Sequence, residues 1–148
     1  MNWMQLITGF TGSIGFAMLF NLHGKKILWT ALGGLIAWFA YLLFGLAYPV
    51  YGVQFLVAGF VLGCYCEIMA ILTKMPRTAY IAVGIIPLIP GAALYYTMYY
   101  AFRKDIEASF SHASEAIITS LGIAVGLLIS MTLWGIWRQA RNRHKKSV

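Results

Sequence analysis

The chain has 148 residues, of which 61% are hydrophobic and only 10% charged, and its mean hydropathy is +0.77. A soluble domain carries about 25% charged residues, so this composition excludes an ordinary soluble protein and indicates a single membrane domain. The net charge of +7 does not indicate nucleic-acid binding, because the basic residues lie between and after apolar segments, as they do in membrane proteins.

Five apolar segments approach the length that a helix needs to cross a bilayer, which is about 20 residues. They predict an all-α integral membrane protein with one five-helix domain, residues 1–137, and a basic tail, residues 138–148. No Lys or Arg precedes Lys25, so the first segment is not expected to be a cleavable signal peptide. The predicted transmembrane helices span about 3–22, 28–48, 53–73, 78–102 and 114–137.

The basic residues predict the orientation of these segments. Nine of the eleven Lys and Arg residues lie in the first connection, in the third connection and in the tail. The positive-inside rule then places the N-terminus outside and the C-terminus in the cytoplasm. The tail is expected to anchor this topology and to touch anionic lipid, although a docking site for a regulator is an alternative. The fourth connection, residues 103–113, is expected to be the longest and most polar.

The fourth segment has a Pro-x-x-Pro-Gly sequence at Pro87, Pro90 and Gly91, in the middle of its apolar stretch. A proline inside a helix removes one amide and frees the carbonyl four residues earlier, which here predicts free carbonyls at Val83 and Ile86. Lipid cannot satisfy such groups, so an interrupted helix has to be covered by protein or by a wet cavity. Interrupted helices of this kind mark the binding sites of many transporters.

The second half of this segment is predicted to begin near Pro90, with unpaired amides at Gly91, Ala92 and Ala93. These amides and the positive end of the helix dipole would suit a carboxylate, while the freed carbonyls would suit an ammonium group or a cation. Tyr95 and Tyr96 follow closely enough to offer a hydroxyl group or a ring face. The alternatives are a helix kinked only for packing and tyrosines that belong to an interfacial belt.

Two further polar residues are candidates for a role in transport. Glu67 is predicted to be the one acidic residue well inside a span, and burial favours the protonated carboxyl, so it is a candidate for proton coupling. The alternatives are a structural carboxyl bonded to another helix or an ion pair with Lys74 or Arg77. Asn21 ends the first segment, either as a helix terminus or as a substrate ligand.

The sequence does not indicate catalysis, a cofactor or a metal. Cys64 and Cys66 point to different sides of a helix, which favours packing over a disulfide or a shared metal site. The three histidines are scattered outside the spans at positions 23, 112 and 144. No nucleophile–base pair, acid pair or phosphate loop is recognisable, so an enzyme is not expected.

Small residues recur at helix-packing spacing in three of the segments. They predict close contacts between helices of this chain. The alternatives are an interface between subunits, including copies of the same chain, and a second irregular stretch in the first segment at residues 8–15. The residues concerned are Gly9, Gly12 and Gly15, then Gly59 and Gly63, then Gly122, Gly126 and Ser130.

Several of these sequence features occur together in one known family. The chain resembles the threonine/serine exporter (ThrE-like) family, and specifically the small five-helix component of its two-part systems. The sequence from Pro87 to Met98 is the specific part of the resemblance, which covers most of the chain. The matching stretches are GFAMLFN at 15–21, EIMA at 67–70, Pro76, IPLIPG at 86–91 and LYYTM at 94–98.

The resemblance implies a larger membrane subunit as partner and export driven by the proton gradient. Threonine and serine are the implied substrates, with succinate in some two-part systems. Many relatives have an arginine after the Glu-x-x-Ala stretch, where this chain has Ile71. The implied intramembrane pairing of Glu67 with an arginine is therefore not expected at that position.

The sequence thus predicts a subunit of an exporter for small polar metabolites in the bacterial inner membrane, with threonine or serine as the favoured cargo. A dicarboxylate exporter is the first alternative. A non-transporting membrane scaffold for a larger subunit is the second. The predicted substrate-binding residues are Asn21, Pro87, Pro90, Gly91, Ala92, Tyr95 and Tyr96, with Glu67 for proton coupling.

Overall fold

A computed structural model of the chain describes residues 3–47 and 50–146, in which helices are the only regular secondary structure. The predicted all-α class is confirmed. Residues 1–2, the predicted end of the second span at residue 48 and the last two residues of the predicted tail lie outside this description. The helices are α1 Trp3–Leu19, α2 Lys25–Ala47, α3 Tyr51–Thr73, α4 Arg77–Gly84, α5 Gly91–Phe102 and α6 Ile106–Lys146, with a 3₁₀ turn at Ile86–Leu88.

Within the described residues, α2, α3 and α6 are each long and apolar enough to cross a membrane alone. The 3₁₀ turn separates α4 from α5, which are bent by 55° and pass the same test only when they are taken together. We call residues 77–102, which comprise α4, the turn and α5, the interrupted segment. Length and composition therefore give three or four candidate spans, against the five predicted. If the interrupted segment counts as one span, the remaining difference is α1. Its 17 residues reach about 26 Å, which is short of a hydrocarbon core of about 30 Å.

Helix α3 lies at the centre of the bundle, between α6 on one side and α2 and α4 on the other. Its buried Leu62, Cys66 and Met69 form a hydrophobic core with Tyr80 of α4 and Leu88 of the 3₁₀ turn. The predicted packing role is confirmed for Cys66, and both cysteines are free thiols. The core therefore holds the beginning and the middle of the interrupted segment against two uninterrupted helices.

Two of the predicted small-residue stripes face each other across the interface between α3 and α6. A Cβ atom added to Gly59 would lie 2.6 Å from the Ile123 carbonyl oxygen, and one added to Gly63 would overlap Ser130 Oγ. This confirms the predicted close contact of these helices within the chain. On α1, in contrast, Cβ atoms added to Gly12 and Gly15 would meet no atom within 4 Å. The small residues at these two positions are not used for packing in the described part of the chain.

Helix α6 begins earlier than the predicted fifth span, and the predicted fourth connection is mostly helical. Only residues 103–105 separate α5 from α6, because Lys104 turns the chain at φ 61° and Asp105 Oδ1 accepts a hydrogen bond from the Ala108 amide at 3.1 Å. This contact caps the first turn of α6. The helix has 41 residues and is about 62 Å long, twice the hydrocarbon core of a bilayer, so it extends into the predicted basic tail.

Candidate functional site

The 3₁₀ turn after α4 satisfies the backbone around Pro87 with short-range hydrogen bonds. The Leu88 amide donates to the Ile85 carbonyl at 2.9 Å, and the Ile89 amide donates to the Ile86 carbonyl at 3.3 Å. The expectation of a free carbonyl at Ile86 is therefore wrong. An i→i+3 bond thus replaces the i→i+4 bond to Ile86 that Pro90 removes, so the Ile86 carbonyl offers little to a cation.

The amides that follow the turn agree better with the prediction than the Ile86 carbonyl does. Pro90 precedes the first residue of α5, and the Gly91 amide donates to the Ile89 carbonyl. The Gly91 amide was expected to be free, and this expectation is wrong. Among the described hydrogen bonds, none outside α5 involves the amides of Ala92 and Ala93, and the first turn of a helix supplies no internal partners for them. These two amides lie at the positive end of the α5 dipole.

A cavity of about 340 Å³ adjoins this turn. Its volume lies within the usual range for small-molecule sites, about 300–1,000 Å³. The structure brings four of the seven predicted substrate-binding residues together here, namely Pro87, Pro90, Gly91 and Ala92. The full lining is Trp38, Tyr41, Phe55, Pro87, Leu88, Ile89, Pro90, Gly91, Ala92, Ala93, Glu115 and Thr119.

Helices α1 and α2 pack against Pro87 through Gly9 and Gly34. Cβ atoms added to Gly9 and Gly34 would lie 3.7 Å and 3.1 Å from the Pro87 ring, and the Cβ at Gly34 would also lie 2.5 Å from Ser13 Oγ. At Gly34 a side chain would crowd both Ser13 and the proline ring, whereas at Gly9 the added Cβ would make an ordinary van der Waals contact. The sequence did not indicate this role, because it depends on contacts between three separate segments.

The cavity extends from near the middle of α2 to near the beginning of α3. Trp38 lies 13 residues after Lys25, the first residue of α2, which corresponds to about 20 Å along that helix. Phe55 lies only four residues after Tyr51, the first residue of α3, or about 6 Å. The cavity therefore lies between the middle of the bundle and the end where α2 finishes and α3 begins.

Sequence reasoning missed Glu115, which is the one charged residue among those that line this cavity. It belongs to α6 and lines the cavity together with the beginning of α5, and its side chain is 39% exposed. Its Oε2 lies 3.5 Å from His112 Nδ1, while its backbone carbonyl accepts a hydrogen bond from the Thr119 hydroxyl at 2.9 Å. An acidic residue in the first turn of an apolar segment was the available signal.

The aromatic wall of the cavity comes from α2 and α3. Trp38 stacks on Tyr41 with ring centroids 4.9 Å apart, and Tyr41 lies 4.6 Å from Phe55. Trp38 Nε1 is buried and has no hydrogen-bond partner in the described part of the chain. A buried donor of this kind is costly unless something accepts its hydrogen bond, and here it belongs to a residue that lines the cavity.

Tyr95 and Tyr96 do not line the cavity. Their side chains are 62% and 43% exposed, and they stack along α5 with Tyr99 and Tyr100. His112 of α6 continues this stack, with its ring 5.4 Å from Tyr96 and 5.6 Å from Tyr100. This exposed position resembles the aromatic belt that was the alternative interpretation of the two tyrosines.

Glu67 is buried and forms an ion pair with Arg77, the first residue of α4. Arg77 Nη1 donates to Glu67 Oε1 at 2.6 Å, and the side chains are 51% and 7% exposed, respectively. This is the pairing with Arg77 that was one of the alternatives. Glu67 lies twelve residues after Phe55 on α3, about 18 Å along the helix, so the structure does not bring it to the cavity.

Asn21 lies just past the end of α1, in the left-handed backbone region at φ 58°. Its amide donates to the Met18 carbonyl at 2.9 Å, and its side chain is exposed. This is the geometry of a helix C-terminus, which was the alternative to a ligand, and Asn21 does not line the cavity. Within the described residues, no three His, Cys, Asp or Glu side chains are grouped in a way that could hold a metal ion.

These features define a class: an all-helical membrane protein in which a 3₁₀ turn between two bent helices adjoins a cavity lined by one charged residue. A comparison with protein families then gives the particular family. The family described as "Threonine/Serine exporter, ThrE" matches residues 5–133, which is most of the chain. The chain therefore belongs to the threonine/serine exporter family, which is a family of membrane transporters rather than of enzymes. Comparisons with curated proteins and with solved structures gave no match.

Proposed function

We propose that this chain is a membrane subunit of a bacterial inner-membrane exporter, and that it binds threonine or serine in the cavity beside Pro87–Gly91. The cavity at the interrupted helix is the observation that supports this most directly. Transporters bind substrates where half-helix termini meet inside the membrane. The amides of Ala92 and Ala93, at the positive end of α5, suit the carboxylate of an amino acid.

The proposed topology has five crossings, with the interrupted segment as one crossing and α1 as another. A helix slightly shorter than the bilayer is accommodated by local thinning of the lipid at modest cost. The distribution of basic residues favours an external N-terminus and a cytoplasmic C-terminus. A larger membrane subunit of the same family is the proposed partner, as the resemblance to two-part systems implies.

We propose further that the Glu67–Arg77 ion pair links export to the proton gradient. Protonation of Glu67 would remove the attraction that holds Arg77, and Arg77 is the first residue of the interrupted segment. A proton taken up at Glu67 would thus release one end of the helix whose other end adjoins the cavity. Glu67→Gln imitates the protonated state, so efflux by this variant should no longer respond to the pH gradient, and a wild-type response would contradict the link.

The test of the binding site uses cells that carry the complete export system and are loaded with labelled threonine or serine. The variant is Pro87→Ala combined with Pro90→Ala, which restores the amides needed for a continuous helix. Efflux should fall by roughly tenfold or more if the irregular turn forms the site. The control is Pro76→Ala, which changes the proline at the N-terminus of α4, away from the cavity.

Measured amounts of each variant in the membrane must match for this comparison to hold. Efflux that depends on the presence of the chain, but not on Pro87 and Pro90, would contradict the proposed site. That result would instead favour a scaffold that assembles or stabilises a larger transporting subunit. Efflux of succinate without efflux of either amino acid would favour the dicarboxylate alternative.

A further inference from the structure

We propose that Glu115 receives the ammonium group of the substrate and thereby selects amino acids over dicarboxylates. This inference rests on the proposed export function, and it adds a specificity-determining residue to the same cavity. The observation that supports the proposal is the position of Glu115 in the cavity lining. Glu115 is the one charged residue that lines the cavity in the described part of the chain, and it comes from α6, whereas Ala92 and Ala93 belong to the first turn of α5.

The two sides of the cavity have opposite electrostatic character. The unpaired amides of Ala92 and Ala93 and the α5 dipole make one side positive. The Glu115 carboxylate makes the other side negative. A zwitterion matches both sides at once, because its carboxylate can meet the amides while its ammonium group meets Glu115. A dicarboxylate matches only one side, since its second carboxylate would face a like charge.

Glu115 is available for such a contact because its partner within the chain holds it loosely. The 3.5 Å between His112 Nδ1 and Glu115 Oε2 exceeds the 2.7–3.2 Å of ordinary hydrogen bonds. Glu67 provides the contrast, since Arg77 holds its carboxylate at 2.6 Å. Of these two carboxylates, Glu67 therefore serves as one member of a formed ion pair, while Glu115 can exchange a weak contact for a charged one.

A second cavity, on the surface of α6, also borders Glu115. This cavity, about 490 Å³, is lined by Ser111, Ser114, Glu115, Ile118 and Thr119 of α6. Glu115 and Thr119 belong to both cavities. Glu115 thus lies where the two cavities adjoin, which suits a group that a hydrophilic substrate passes and contacts.

The aromatic wall supports the same choice of substrate. Trp38, Tyr41 and Phe55 line the cavity together with Glu115, and aromatic ring faces attract cations such as ammonium groups. The buried Trp38 Nε1, which has no partner in the described part of the chain, can donate a hydrogen bond to the hydroxyl or carboxylate of a bound amino acid. Threonine and serine carry all three of these groups.

The first experiment compares Glu115→Gln with the wild-type protein in cells that carry the complete export system. Loss of the charge-assisted contact should reduce threonine and serine efflux by roughly tenfold or more. Glu107→Gln is the matched control, because Glu107 is an exposed acidic residue in the first turn of the same helix. It removes the same charge outside the cavity and should leave efflux unchanged.

A second measurement uses the wild-type protein alone, so its result does not depend on how the variant folds. Excess unlabelled threonine, N-acetylthreonine and succinate are each tested as competitors of labelled threonine on the side where the substrate is loaded. Threonine should compete, while N-acetylthreonine, which lacks the ammonium group, and succinate should not. Effective competition by N-acetylthreonine or succinate would overturn the proposed role of Glu115.

The outcomes separate the two proposals. Threonine efflux that falls in the Pro87→Ala and Pro90→Ala variant but stays at the wild-type rate in Glu115→Gln would overturn this inference and leave the proposed function standing. Wild-type protein that exports neither threonine nor serine would overturn both. Reduced efflux in Glu115→Gln, unchanged efflux in Glu107→Gln and selective competition by threonine would together support the inference.

Discussion

At the α3–α6 interface, a Cβ atom added to Gly126 would overlap the carbonyl oxygen of Leu56, whereas one added to Gly91 in the interrupted segment would meet no atom within 4 Å. Both residues are glycines in apolar stretches, but only Gly126 is needed for close packing. The interface between α3 and α6 is formed by two uninterrupted helices whose backbones touch. At Gly91 the interrupted segment instead borders a cavity.

This difference shows how a small helical bundle can be tightly packed in one region and still form a cavity in another. Helices that touch through glycine gain many dispersion contacts and leave no space. The interrupted segment is held by the hydrophobic core through Tyr80 and Leu88, by the Glu67–Arg77 ion pair at its beginning and by a hydrogen bond from Ser109 to the Thr97 carbonyl further along. Between these contacts, Pro90 and Gly91 border the proposed substrate cavity.

The largest expected effect comes from breaking the α3–α6 interface with Gly126→Ala. The added methyl group would overlap the Leu56 carbonyl oxygen and lie 2.7 Å from the Phe60 amide nitrogen. Neither is the flexible end of a side chain, so the two helices must separate. We expect the free energy of unfolding to fall by about 3 kcal/mol, as measured by denaturant unfolding in detergent micelles.

The matched control for this variant is Gly135→Ala, on the same helix, where a Cβ atom would meet nothing within 4 Å. Alanine is the better helix former by about 1 kcal/mol, so this variant should be unchanged or slightly more stable. Equal losses of stability in the two variants would show that the α3–α6 interface is not tightly packed. The contrast with Gly91 would then disappear.

A smaller effect is expected from Arg77→Met, which releases the beginning of the interrupted segment. The variant leaves the buried Glu67 carboxylate without its ion-pair partner. Breaking a fully buried pair costs about 3–5 kcal/mol. Because the Arg77 side chain is half exposed and water can replace part of the contact, we expect a loss of about 1–2 kcal/mol in the free energy of unfolding.

A double-mutant cycle with Glu67→Gln isolates this contact. The double variant carries no unpaired buried charge, so it should lose less stability than the sum of the two single variants. Losses that simply add would indicate that the two side chains do not interact. The interrupted segment would then be held at its beginning by apolar contacts, as the α3–α6 interface is.

The sequence predicted those parts of the fold that depend on local backbone chemistry. Helix α4 ends shortly before Pro87, and α5 begins directly after Pro90. Both boundaries follow from the amide that a proline removes wherever it stands. The glycine stripes on α3 and α6 predicted close packing, since few residues other than glycine allow backbones to touch. The early start of α6 also had a local signal, namely Asp105, since aspartate is a favoured N-cap residue.

The sequence could not predict the parts that depend on contacts between distant segments. Glu115 meets the beginning of α5 only because α6 folds back along it, and Gly34 makes room for Pro87 only because α1 and α2 converge there. The free carbonyl expected at Ile86 was wrong for a related reason. The position of a proline does not reveal that a 3₁₀ turn will form and use that carbonyl.

The smallest expected effect comes from Ser109→Ala, which tests the other end of the interrupted segment. The Ser109 hydroxyl donates to the Thr97 carbonyl at 2.9 Å and thereby joins α6 to α5. Hydrogen bonds between helices in membrane proteins contribute about 0.6 kcal/mol on average, so we expect a loss of that size in the free energy of unfolding.

The matched control is Ser111→Ala, two residues further along α6, because the Ser111 side chain is exposed and makes no such contact with α5. A loss in Ser109→Ala as large as that in Arg77→Met would reverse the proposed order of the two contacts. The end of the interrupted segment that lies beside α6, rather than its ion-paired beginning, would then determine how firmly the wall of the cavity is held. In that case the proposed coupling between Glu67 and the cavity could not act through the Arg77 end of the interrupted segment.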